Sequence, residues 1–126
     1  MQASTLLLRQ VHPSWFKEGH VLSIAFRPFP KDEGLLSAYD GDLIQPEPSY
    51  VHYTQKLGYA SAGVWAVSLA EAEACELSAR PDPLPDFPEH AVIDFTLHAE
   101  KQQKAKSKIL AAKAEARGYL FAPSEV

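Results

Sequence analysis

Two groups of charged residues offer most of the chemistry in this sequence. Arg27, Lys31, Asp32 and Glu33 share one stretch with Pro28, Pro30 and Gly34, a density of prolines and glycine that marks a loop of restricted backbone freedom. Such loops, carried on a rigid hairpin, are where binding groups are displayed. These four side chains are therefore the expected rim of the main functional surface, joined by Asp40 and Asp42 of the following YDGD turn. If a hairpin brings them together, the carboxylates of Asp32, Glu33, Asp40 and Asp42 have the oxygen donors that a hard cation such as Mg²⁺ takes. Turn formation also accounts for Asp40 and Asp42, because Asx side chains hydrogen-bond the turn they sit in.

Other chemistries find less support. His12, His20, His52, His90 and His98 are scattered, with no pair at the spacing of helical zinc ligands, and one cysteine completes no cluster. Neither a metal site nor a cofactor is assigned. Cys75 falls on the apolar side of an expected helix with no histidine placed to activate it, so it reads as a small buried hydrophobe rather than a nucleophile. No stretch fixes a reaction, and the catalytic residues are left unassigned.

The elements that position these residues belong to one domain. A chain of 126 residues with 46% hydrophobic content buries a core without staples. A lone cysteine excludes an intramolecular disulfide and suits a reducing, cytoplasmic compartment. The apolar run Leu6–Leu8 ends at Arg9, so neither a signal-peptide core nor a membrane span is expected. Residues 1–96 hold 13 acidic and 6 basic side chains and residues 97–126 hold 3 and 6, balances of −7 and +3 that give the net −4. An acidic body argues against broad phosphate-backbone binding, leaving the basic C-terminal helix as the one route to nucleic acid.

Strands are expected at Thr5–Val11, Val21–Phe26, Leu35–Tyr39, Ala62–Val67 and His90–Phe95 from alternation or short apolar runs. Ala62–Val67 is the expected sheet centre. Pro13 should open a short helical turn through Trp15 and Phe16. A helix over Glu47–Leu57 would bury Tyr50, Val51, Thr54 and Leu57 and turn His52 elsewhere, with Gly58 as its stop. Ser68-Leu69-Ala70-Glu71 is a capping box opening a second helix to about Leu77. Four prolines between Arg80 and Glu89 demand an extended wrap over the surface. Residues 97–117 form a basic, Ala/Lys-rich C-terminal helix stopped by Gly118, with a narrow stripe of Ala105, Ile109, Ala112 and Ala116. So alanine-rich a stripe gains little from packing, which marks this helix as either the most labile element or a docking element, with Tyr119, Leu120 and Phe121 folding back as its anchor.

Arg9 or His12 as an anion or ribose contact, Tyr39 as a stacking ring, and Glu89 or Asp94 as a stabilising carboxylate are similar in broad outline to ADP-ribosyltransferases. That resemblance implies a small nucleotide-handling enzyme as the alternative function. Convergence of Arg9, His12, Arg27 and Asp94 on one cleft would favour it. The phrases RQVHPSW, FRPFPKDEG, YDGD and FPEHAVIDF resemble small uncharacterised bacterial proteins of similar size, implying a bacterial origin and no particular activity. The expected architecture is α+β: a single domain with an approximately five-stranded, mainly antiparallel or mixed sheet, two short helices and a long C-terminal helix. Helical connections would also permit parallel crossovers and the α/β class. The expected function is that of a bacterial binding or accessory protein, of immunity, antitoxin-like or operon-partner type, acting through a protein partner without membrane contact.

Overall fold

The computed structural model describes residues 1–123 and places them in one α+β unit. Its strands and helices are β1 (Leu6–Gln10), β2 (Phe16–Lys17), β3 (His20–Val21), β4 (Leu35–Asp40), α1 (Pro46–Val51), β5 (Val64–Ser68), α2 (Leu69–Ala74), β6 (Ser78–Pro81), β7 (His90–Asp94) and α3 (Glu100–Arg117). The main sheet runs β5-β1-β4-β7-β6 with every neighbouring pair antiparallel. Among the described residues no helix is long and apolar enough to cross a membrane.

Both faces of the sheet are covered, as the strand alternation requires. On one face Leu7, Val11, Leu36, Ala38, Trp65, Val67, Ala91 and Ile93 meet Phe26, Phe95 and Leu110. On the other, Leu8, Tyr39, Val64 and Ala66 lie under Tyr50, Tyr53, Phe87, Leu120 and Phe121.

Four expectations need correction. Val21–Phe26 is not a strand: His20–Val21 pairs with Phe16–Lys17, and Ser23–Phe26 is a 3₁₀ turn that buries the adjacent Ala25 and Phe26 together. The hairpin turn is Glu18-Gly19, at φ 52° and 82°, the two positive angles that a two-residue type I′ turn requires.

Val64–Ser68 is an edge strand, and β4 holds the centre. Its unbroken burial comes from cover on both faces and from closure of its outer edge. Leu120 N–H donates to Val64 O and Val64 N–H to Phe121 O, each at 2.8 Å, and Arg117 Nη1 donates to Ala66 O at 2.9 Å.

α1 passes into a π-helical turn over His52–Lys56, closed by Leu57 N–H donating to His52 O. The wider turn changes the buried face. Ser49 is buried, Tyr50 and Tyr53 face the sheet, and His52 meets Tyr39, whereas Val51 and Leu57 are exposed.

The stripe of α3 is also displaced. Ser107, Leu110, Ala111 and Ala114 are buried, whereas Ala105, Ala112 and Ala116 are exposed and Ile109 is 47% exposed. Both stripes have helical spacing and both are alanine-rich. Leu110 decides between them, together with Ser107, whose hydroxyl turns back onto Gln103 O at 2.7 Å. The helix is thus part of the core, neither loose nor unpartnered on its inner side. Side chains fix it further: Glu115 accepts from Val21 N–H at 2.8 Å, Lys106 donates to Cys75 O at 2.7 Å, and Arg117 meets Glu71 at 2.8 Å.

The capping box at Ser68 forms as expected, with Ser68 N–H donating to Glu71 Oε1 at 2.8 Å and Glu71 N–H to Ser68 Oγ at 3.1 Å. The proline segment begins as β6 and then doubles back. Leu84 and Phe87 exchange backbone hydrogen bonds of 3.0 and 2.9 Å, a tight turn that lays Phe87 over the sheet.

Candidate functional site

The sheet is split beside its centre. β1 pairs with β5 from Leu6 to Gln10 and β4 pairs with β7 from Leu35 to Tyr39, yet β1 meets β4 only at Leu7–Asp40 and Leu8–Tyr39. Beyond that point the guanidinium of Arg9 occupies the gap, Nε donating to Ala25 O and Nη1 to Ser37 O, both at 2.8 Å. These bonds give the carbonyls partners that a buried edge otherwise lacks. An arginine has five N–H groups; the other three of Arg9 have no protein partner among the described residues.

A cleft of about 330 Å³ opens over this gap, at the lower end of the roughly 300–1,000 Å³ of ligand sites. Arg9 and Ser37 are at its base, Tyr39 and Phe87 form one wall, and Tyr53 and Tyr59 another. Each element has a local reason for its place. The π turn delivers Tyr53, the doubled-back proline segment delivers Phe87, and the β4–β7 register sets His90 opposite Tyr39.

The lining is largely apolar around one fixed cation. Burial lowers Arg9 to about 10, against the opposing influence of Tyr53 and Asp32, so the side chain stays protonated at neutral pH. Burial raises the phenol of Tyr39, with Tyr53 and Glu89 adding to the effect. It also raises that of Tyr53, with the Arg9 charge opposing. Both tyrosines are therefore neutral hydroxyl groups. Tyr39 OH lies 2.7 Å from His52 Nδ1. Gln10 is tied to Ser49 at 3.0 Å and Ser61 at 2.9 Å and acts as wall.

In the same cleft, His90 Nε2 lies 3.0 Å from Ser37 Oγ, and His90 Nδ1 lies 2.9 Å from Asp82 O and 3.2 Å from Asp82 Oδ2. Both Asp82 oxygens can only accept. Nδ1 therefore carries a ring proton, and in the neutral imidazole Nε2 accepts from the Ser37 hydroxyl.

The residues singled out by sequence lie elsewhere. Arg27 edges a separate polar groove of about 370 Å³ with Phe29, Glu100 and Lys104. Lys31 and Glu33 are exposed, and Asp32 caps the 3₁₀ turn by accepting from Phe29 N–H at 2.7 Å. Asp40 accepts from Asp42 N–H at 2.9 Å and Asp42 from the Thr5 hydroxyl at 2.6 Å. The two acidic pairs sit at opposite ends of β4, roughly 17 Å apart at a strand rise of about 3.3 Å per residue, so they do not converge. No group of three potential metal ligands is gathered among the described residues.

Of the nucleotide-handling set, Arg9 and Tyr39 share the cleft. His12 is exposed beside Ser14, and Asp94 is engaged by Thr96 and Arg80. Neither lines the cleft. Cys75 is buried, and burial raises its thiol, with Lys106 and Lys113 opposing.

Ser37, Tyr53 and His90 escaped the sequence reading. Serine within a strand and histidine at a strand start carry no spacing signal; the strand register alone joins them. Compared with known proteins, the chain matches no family model, no curated protein and no solved structure.

Proposed function

We propose that this protein binds a small organic monocarboxylate with an aromatic or branched apolar body, held in the Arg9 cleft. The observation that supports the reading is a single guanidinium, three of whose N–H groups have no partner among the described residues, in a largely apolar and aromatic cleft. A planar carboxylate fits the guanidinium edge, and the tyrosine and phenylalanine walls suit a ring. One guanidinium with no second arginine or lysine in the lining among the described residues suits a monoanion better than a phosphate ester. The free, buried Cys75 suits a reducing, cytoplasmic setting.

Phenylacetate is a suitable probe. Isothermal titration should detect saturable binding to the wild type and at least a tenfold loss in Arg9→Met, while Arg27→Glu leaves it unchanged. Equal affinity in the wild type and Arg9→Met would overturn the reading.

A second reading, contact with an acidic protein partner, draws on the outward face of α3. There Ile109 lies exposed on a helix that also presents Lys101, Lys104, Lys108 and Lys113 to solvent, an apolar spot on a basic element. Such a contact should weaken with salt and be lost in Ile109→Glu with folding intact. A salt-independent contact that Ile109→Glu retains would discard it.

A further inference from the structure

We propose that Ser37, His90 and Asp82 form a nucleophile, base and positioning group for acyl transfer, and that the substrate is an ester or thioester of the carboxylic acid the cleft binds. The inference rests on the binding reading, since product and ligand are then the same chemical class. Its basis is geometric. Ser37 Oγ stands 3.0 Å from His90 Nε2, and the imidazole is held from behind by Asp82 O at 2.9 Å and Asp82 Oδ2 at 3.2 Å. These are the contacts that place a serine proton on a neutral imidazole of the correct tautomer. His90 is buried, whereas Ser37 is exposed at the cleft base. The base is thus shielded and the nucleophile is reachable.

Arg9 completes the constellation. Its Nη1 is 2.8 Å from the carbonyl of Ser37 itself and both residues line the same cleft, which puts a cation near an acyl group carried on Ser37. Preorganised donors at such a position are usually the largest contribution to catalysis.

The chemistry balances with water as the only co-reactant. Ser37 Oγ forms a bond to the acyl carbon as its proton passes to His90 Nε2, and the carbonyl oxygen becomes an oxyanion facing Arg9. Collapse breaks the bond to the leaving alcohol or thiol, which takes the proton from His90. Water then attacks the acyl-serine, giving its proton to His90. Collapse of this second intermediate breaks the bond to Ser37 Oγ, which takes the proton back from His90, and the carboxylic acid so formed gives its own proton to solvent. The resulting carboxylate is left against the guanidinium.

A merely structural role for His90 is the competing account, since the same bonds anchor the proline segment to the sheet. Two reagents separate them on the full chain: diisopropyl fluorophosphate, which traps an activated serine with loss of fluoride, and 4-nitrophenyl phenylacetate, whose acid product is the binding probe above. Mass spectrometry should place one adduct of the fluorophosphate on Ser37 in the wild type. Turnover of the ester should fall to the uncatalysed rate in Ser37→Ala and about 100-fold or more in His90→Gln, as removal of a general base predicts. In Asp82→Asn the main-chain acceptor remains, so kcat should drop about tenfold with KM unchanged, a split that simple loosening of the loop would not give.

A wild type without an adduct, or one labelled only at a tyrosine, overturns the proposal, whatever the variants do. Phenylacetate binding without labelling or turnover would sink acyl transfer and leave the binding reading standing. Turnover through Ser37 without phenylacetate binding would do the reverse.

Discussion

Glu71 shows how much one side chain organises. It closes the capping box of α2 and accepts from Arg117 at 2.8 Å, tying the end of α3 to the start of α2. Burial pushes its carboxyl up, but the hydrogen bonds from Arg117 and Ser68 outweigh this and leave it below its ordinary value of 4.5. A carboxylate depressed on folding stabilises the native state above its unfolded pKa and loses that contribution as pH falls through the folded one. Glu71→Gln should therefore cost about 1 kcal/mol at pH 7. Urea titrations of the two proteins should converge as pH is lowered through and below 4.5, and a gap constant with pH would refute this account. The Ser68–Glu71 pair was legible because capping is local, three residues apart. The Arg9–Ser37 and Ser37–His90 contacts span 28 and 53 residues and follow from strand register, which no spacing in the chain announces.

Among elements, α3 is the instructive case. Composition identified it as a helix and Gly118 as its stop, because helix propensity is additive and local. The buried face was not legible, since two alanine-rich stripes compete and tertiary contacts choose between them. Its inward stripe includes Ser107, Leu110 and Ala114, all fully buried. Amide exchange across 107–114 should thus be as slow as in β5 in the isolated protein, and fast exchange there would contradict the packing described. The segment after the helix has a separate task. Leu120 and Phe121 close the outer edge of β5, and an uncovered apolar edge is a template for pairing with another chain. A chain ending at Gly118 should self-associate in sedimentation velocity while the full chain does not; a monomeric truncated chain would show that Arg117 alone protects the edge. The misplacement of β5 at the sheet centre has the same origin. Continuous burial reports cover, and cover can come from a returning chain end as well as from a neighbouring strand.

At the scale of the whole molecule, the fold class was readable from alternating apolar runs and helix-forming tracts, but the division of the sheet was not. β5 and β1 form one leaf, β4, β7 and β6 the other, and the leaves share a short ladder and the Arg9 side chain. Replacing a buried ion by an apolar side chain of similar size is often neutral when every partner is removed with it. Here the partners are main-chain carbonyls, and they stay. Ser37 O faces the open cleft and can turn to water, whereas the bond to Ala25 O is partly buried. Arg9→Met should therefore cost about 1–3 kcal/mol, the penalty of one buried acceptor left unmet. The loss should be uneven across the molecule. Amide exchange should accelerate along β1 and β4 where the leaves meet, while β6, which β7 separates from β4, keeps its protection relative to global unfolding. Uniform acceleration would mean that the two leaves open as one, and that the cleft is a surface feature of a continuous sheet rather than the seam on which the site is built.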